Sequence, residues 1–151
     1  DWVFSHPHLT IANHLLAEDR IISPSDFGFH NAIKSETGIK FIDFEFSGMD
    51  DPSKLLIDFF FQPRVSVSPV WIPYFPTLYK PEKHDFFKKR TKILSRILLV
   101  KWATISLGLL NPIKYNNYKL LRKTDSILEI ISKRVKTAGD FLKMENPFEL
   151  Y

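Results

Sequence analysis

Three residues of this 151-residue chain, Asp26, Asn31 and Asp43, have types and spacing that could do chemistry. They fall in the run Ile22 to Asn31, which holds Pro24 and Gly28, and in the run Phe41 to Glu45. An Asp carboxylate and an Asn carbonyl oxygen are hard ligands that suit Mg²⁺, an ion that keeps several waters and takes further oxygens from substrate phosphates. A carboxylate left off the metal can accept the proton of an attacking hydroxyl. That combination is what Mg²⁺-dependent phosphoryl transfer needs.

A hairpin would bring the three together. The apolar-rich runs Asn31 to Lys34 and Ile39 to Glu45 are separated by Ser35, Glu36, Thr37 and Gly38, and the glycine can supply the positive φ that a tight loop requires. If Lys34 pairs with Ile39, antiparallel register sets Asn31 opposite Ile42 and His30 opposite Asp43. Directly paired residues lie about 4.5 to 5.5 Å apart, which is ligand distance for one shared cation. Asp26 then hangs beside the same open end, in a loop opened by Pro24 and loosened by Gly28.

The pattern Asp26-x-x-x-x-Asn31, then a hairpin, then Ile42, Asp43, Phe44 and Glu45, then Asp51-Pro52, resembles the aminoglycoside and choline kinase family of phosphotransferases, a branch of the protein-kinase-like fold. The resemblance spans roughly residues 20 to 62 and extends only loosely into the remainder. It implies an α+β, mostly helical fold: a kinase-like C-terminal lobe with a small catalytic β-hairpin packed on helices. It implies Asp26 as the catalytic base, Asn31 as a metal ligand and Asp43 as the bridge between metal and nucleotide phosphates. Mg²⁺ and ATP would be required, and the acceptor would be a small-molecule hydroxyl. Most relatives carry His-Gly before the catalytic Asp as a brace for loop geometry, whereas this chain has Pro24-Ser25, whose ring fixes φ instead.

Asp51 is a good helix N-cap and Pro52 a good first helical residue, so a helix is expected from there to about Phe61. Asp58 falls inside it among Leu55, Leu56, Ile57, Phe59 and Phe60. A carboxylate buried there needs partners, because an unpaired buried charge costs several kcal/mol. The resemblance implies a structural role for Asp58, holding the catalytic loop by its backbone amides; the alternative is a surface Asp on the polar side of an amphipathic helix.

With 44% hydrophobic residues the chain can bury one substantial core and is expected to be one domain. Residues 1 to 25 contain neither Gly nor Lys, so neither a Gly-rich phosphate loop nor a strand Lys precedes Asp26. The expectation is a C-terminal lobe whose nucleotide-binding N-terminal lobe is absent, itself inactive, from a parent small-molecule kinase. A noncatalytic kinase-like binding module is the alternative.

The absence of cysteine excludes disulfides and thiolate metal sites and is compatible with a cytoplasmic location. The apolar stretch from Ile93 to Leu110 is interrupted by Arg96 and Lys101, so no membrane span is expected. Lys and Arg outnumber Asp and Glu by 16 to 5 in residues 80 to 143, against 5 to 10 in residues 1 to 79. Lys88, Lys89, Arg90, Lys92 and Arg96 could begin a nucleic-acid face, but a solvated helix face is the simpler reading and nucleic acid is not expected as a partner. His6, His8 and His14 lack zinc-like spacing.

Elsewhere the pattern predicts a helix over residues 7 to 17 and a short strand over Arg20 to Ile22. Gln62 to Glu82 holds five prolines among Trp71, Tyr74, Phe75 and Tyr79, and is expected to be irregular, either a wall of an acceptor pocket or a packed connection. A long helix is expected from Lys83 to about Leu110, with Phe87, Ile97 and Leu98 available for burial, ended by Asn111-Pro112. One or two helices should follow from Tyr115 to about Met144, with Gly139 as a weak point.

Overall fold

The computed structural model describes residues 15–121 and 126–149. Most of the helix expected over residues 7 to 17, and the three histidines within residues 1–14, lie outside that range. Two antiparallel ribbons are nested in sequence. β1 (Ile21–Ser23) pairs with β4 (Gly48–Asp50), and between them β2 (Ala32–Ser35) pairs with β3 (Gly38–Phe41). The helices are α1 (Pro52–Phe61), the single turn α2 (Phe75–Leu78), α3 (His84–Ser106), α4 (Pro112–Leu121) and α5 (Ile127–Lys143). The fold is therefore α+β and mostly helical.

Lys34 faces Ile39, the pairing on which the expected register is conditioned. Gly38 takes a φ of 124° at the turn, and the Ser35 hydroxyl donates to its carbonyl at 3.0 Å. The second strand ends at Phe41 and does not run on to Glu45. Asp43 has a φ of 65°, which breaks the extended run, and a turn from Phe44 to Ser47 follows.

α1 begins as expected: Asp51 accepts a hydrogen bond from the Ser53 amide at 2.9 Å and Pro52 occupies the first helical position. Arg90 on α3 donates to the other oxygen of Asp51 at 2.6 Å, fixing the start of α1 on its neighbour. The helix stops before Pro63, where the Gln62 side-chain carbonyl accepts the amides of Arg64 and Val65.

The core lies where α1 and α5 pack on α3. Leu56, Ile57 and Phe61 meet Leu98, Leu99, Trp102 and Ala103, with Ala138 and Phe141 of α5 and Phe148 closing the cluster. Each fully buried side chain of this size contributes about 1.5 to 3 kcal/mol. The inward face of α3 follows Phe87, Thr91, Ser95, Leu98, Trp102 and Ser106, and Ile97 is exposed, contrary to expectation. Small hydroxyl residues occupy the middle of that face because polar groups meet there. Ser95 donates to the Lys92 carbonyl at 2.8 Å and bonds the Asn146 side-chain nitrogen at 2.7 Å, while Asn146 Oδ1 takes the Phe148 amide.

The proline-rich segment is more regular than its composition suggests. Pro69–Tyr74 and Pro81–Lys83 are 3₁₀ turns, and Phe75 opens α2. Proline lacks an amide that the first helical position does not use, so short turns absorb several of these residues. Gly139 lies inside an unbroken α5. No helix among the described residues is long and apolar enough to cross a membrane.

Candidate active site

The loop between β1 and β2 is built around two tight turns. The Asp26 amide donates to the Pro24 carbonyl at 2.9 Å across Ser25, whose φ is 70°, and the Ser25 amide is taken by the Ser23 hydroxyl at 3.1 Å. A left-handed conformation at a serine costs of order 1–3 kcal/mol, a type of strain that clusters at functional sites. A 3₁₀ turn, Phe29–Asn31, then closes the loop with the Asn31 amide on the Gly28 carbonyl at 3.0 Å.

Asn31 joins the parts. Its buried side chain donates from Nδ2 to the Asp26 carbonyl at 2.9 Å and reaches the Asp26 carboxylate at 3.4 Å. Its own carbonyl accepts the Ile42 amide at 2.9 Å, one step beyond the last ladder pair of Ala32 with Phe41. The Asn31–Ile42 juxtaposition thus follows the expected register, and Asp43 comes next, exposed and in the left-handed region. His30 turns elsewhere: its Nε2 lies 3.2 Å from Asp26 Oδ1.

Aromatic packing seats the loop on the helical body. Phe27 lies against Phe41 of β3 and Phe59 of α1, with centroids 4.6 and 5.2 Å apart, and Phe29 meets Phe59 at 5.2 Å. From Phe59 the contacts continue through Phe60 to Phe148. The expectations above left Phe27, Phe29 and Phe41 without a role. Their signal was Phe27 and Phe29 flanking Gly28 in a chain with fourteen phenylalanines.

Asp58 is buried, and its partners are side chains. Lys101 Nζ sits 2.8 and 2.9 Å from its two oxygens, Trp102 Nε1 donates at 3.0 Å, and Lys54 lies at 3.3 Å. Its carboxylate ties α1 to α3, and the partners are not the backbone amides of the 24–31 loop that the resemblance implied. Burial pulls Lys54 down, but its hydrogen bond to Asp50 and the charges of Asp58 and Asp50 outweigh that and hold it above the usual lysine range. Two aromatics of the proline-rich segment lie at the start of α1, away from the loop. Phe75 and Tyr79 line a small cleft with Pro52, Ser53 and Phe87 at the start of α1, whereas Gly28 packs near Gln62 at its other end.

Among the described residues no three His, Cys, Asp or Glu side chains converge as a metal cage. The candidate donors are one amide and one carboxylate. With Nδ2 of Asn31 committed to Asp26, its Oδ1 is the atom available to a cation, and the exposed Asp43 carboxylate follows the residue hydrogen-bonded to it. Two hard oxygens fit Mg²⁺, which completes its shell with waters and phosphates. No protein-family model, curated protein or solved structure matches the chain.

Proposed function

We propose that this chain carries the catalytic half of a Mg²⁺- and ATP-dependent phosphotransferase acting on the hydroxyl of a small molecule. The observation that carries this reading is the double tie of Asn31, by its side chain to Asp26 and by its backbone to the residue before Asp43. Asp26 has half of its side-chain surface open to solvent, so an acceptor hydroxyl can reach it. In this role it orients that hydroxyl and takes its proton. Asn31 and Asp43 would hold the Mg²⁺, and the metal would neutralise charge on the transferring phosphoryl group.

Positioning contributes about 7 to 11 kcal/mol to such reactions, more than a general base alone. Much of that positioning comes from residues that grip the nucleotide, and no Gly-rich phosphate loop or strand Lys precedes Asp26 in this sequence. The 151-residue chain alone should therefore bind ATP weakly and turn over negligibly.

The test is a Mg²⁺-dependent ATP-consumption assay of the full-length protein against a panel of amino-alcohols, aminocyclitols and sugars. Turnover with at least one acceptor, abolished by chelation of Mg²⁺, is expected. Saturable binding of a panel member without ATP consumption would favour a noncatalytic kinase-like module instead.

A further inference from the structure

We infer that His30 is a positioning residue for Asp26: its Nε2–H holds one carboxylate oxygen while Asn31 approaches the other. The catalytic consequence rests on the phosphotransferase reading above; the contact does not.

The two side chains differ sharply in exposure, 5% for His30 and 53% for Asp26. The imidazole is thus an anchored group directed at a group that is free to meet substrate. Nε2 lies 3.2 Å from Oδ1, within ion-pair range, and Asn31 Nδ2 lies 3.4 Å from Oδ2, so a side-chain nitrogen stands against each carboxylate oxygen. Pro24 and Ser25 direct no side-chain donor at Asp26.

Two further observations say that the ring is placed for this contact. His30 Nδ1 is buried and has no hydrogen-bond partner. A histidine that served packing alone would have no reason to keep that ring nitrogen, and one recruited for backbone capping would use it. The unpaired Nδ1 also selects the tautomer: a proton on Nδ1 would be buried without an acceptor and would turn the Nε2 lone pair toward the carboxylate. The proton therefore sits on Nε2. Gly28 makes room for the ring, since a Cβ there would come within 2.7 Å of Nδ1 and 2.8 Å of Cε1. The φ of Gly28 is 173°, an extended value open to any residue, so it is the space that requires glycine.

Orientation matters because a misplacement of about 1 Å at a reacting group can cost about 10²-fold in rate. In the full-length protein, His30→Leu is expected to lower kcat about 10- to 100-fold with the KM for ATP nearly unchanged. His30→Gln, which keeps a side-chain N–H, should recover most of that loss. Gly28→Ala should reproduce the Leu phenotype by displacing the ring.

A second readout does not depend on turnover. Nitrogen-15 spectra of histidine-labelled wild-type protein should show His30 as the Nε2-protonated tautomer, with a slowly exchanging Nε2 proton that shifts in Asp26→Ala. An Nδ1-protonated ring, or a resonance indifferent to Asp26→Ala, overturns the inference even if His30→Leu fails to fold. So does a well-folded His30→Leu protein with wild-type kcat. Absence of any phosphotransfer together with the expected spectrum would remove the reaction and leave the His30–Asp26 contact standing.

Discussion

Asp26 and Asp58 are the same residue type in opposite surroundings. Asp58 is 2% exposed and meets two lysines and a tryptophan, so its oxygens are filled and its location cross-links α1 to α3. Asp26 is exposed, is approached by His30 and Asn31 among the described residues, and follows a serine in the left-handed region. A carboxylate whose hydrogen-bonding capacity is fully used by the fold is a fastener. One that is oriented but left open on a strained loop is free to act on something else.

The comparison is broken most severely by exchanging amides for the two acids. Asp26→Asn in the full-length protein should lower kcat by about 10² to 10⁴, the usual contribution of a general base, while thermal melting stays within about a degree of wild type. Wild-type turnover in that variant would remove Asp26 from the chemistry. Asp58→Asn should do the reverse. It leaves the cationic groups of Lys54 and Lys101 without their shared charge, and breaking a buried pair costs about 3 kcal/mol at the lower end of the known range, apt here because both lysines are partly exposed. For a chain of this size that is about 6 to 12 °C in Tm by calorimetry, with kcat per folded molecule little altered.

A third substitution asks how local the fastening is. Asp51 caps α1 and also receives Arg90. Asp51→Ala should cost about 1 to 2 kcal/mol, read from urea unfolding, since loss of a cap costs about 0.5 to 2 kcal/mol. A loss as large as that of Asp58→Asn would show that the start of α1, not its centre, secures the helix to α3.

The difference between the two acids was only partly legible in the sequence. The hairpin follows from Gly38 and a four-residue spacer, and the start of α1 from Asp51 and Pro52, because turns and caps are decided by neighbouring residues. Lys54 lies a helical turn from Asp58, but its other two partners are forty-three and forty-four residues away, and no local rule names Lys101 or Trp102. The early end of the second strand at Phe41 was hidden because Ile42 to Phe46 alternates apolar and acidic residues in the manner of a strand, while Asp43 leaves that conformation. The buried face of α3 was misjudged for a related reason. Thr91 and Ser95 look exposed by type, yet Ser95 is wanted inside by Asn146. His30 bears on Asp26 at a spacing of four, which the 3₁₀ turn creates and strand pairing would not.

Asp19 supplies the intermediate case and the smallest effect. It is buried like Asp58, and its partners Lys80 and Lys83, 2.7 and 2.6 Å away, have 28% and 31% of their own side chains exposed, much as the lysines on Asp58 do, but they tie a loop segment rather than two core helices. Together with Tyr79 Oη, which donates to the Asp19 carbonyl at 3.1 Å, they strap the end of the proline-rich segment to the chain just before β1. The hydrogen bonds from Lys80 and then Lys83 outweigh burial and hold the Asp19 carboxyl below the usual carboxylate range. A depressed folded value means that the strap stabilises fully above the ordinary Asp pKa of about 3.9 and is lost as pH falls through the lower folded value. Asp19→Asn should therefore melt below wild type at pH 7, and the gap should close as the pH is taken down from about 4, since the other carboxylates cancel in the difference. A gap that stayed constant to pH 2.5 would mean that Asp19 acts through shape and hydrogen bonding alone, and the distinction between fastened and free acids would then rest on Asp58 and Asp26.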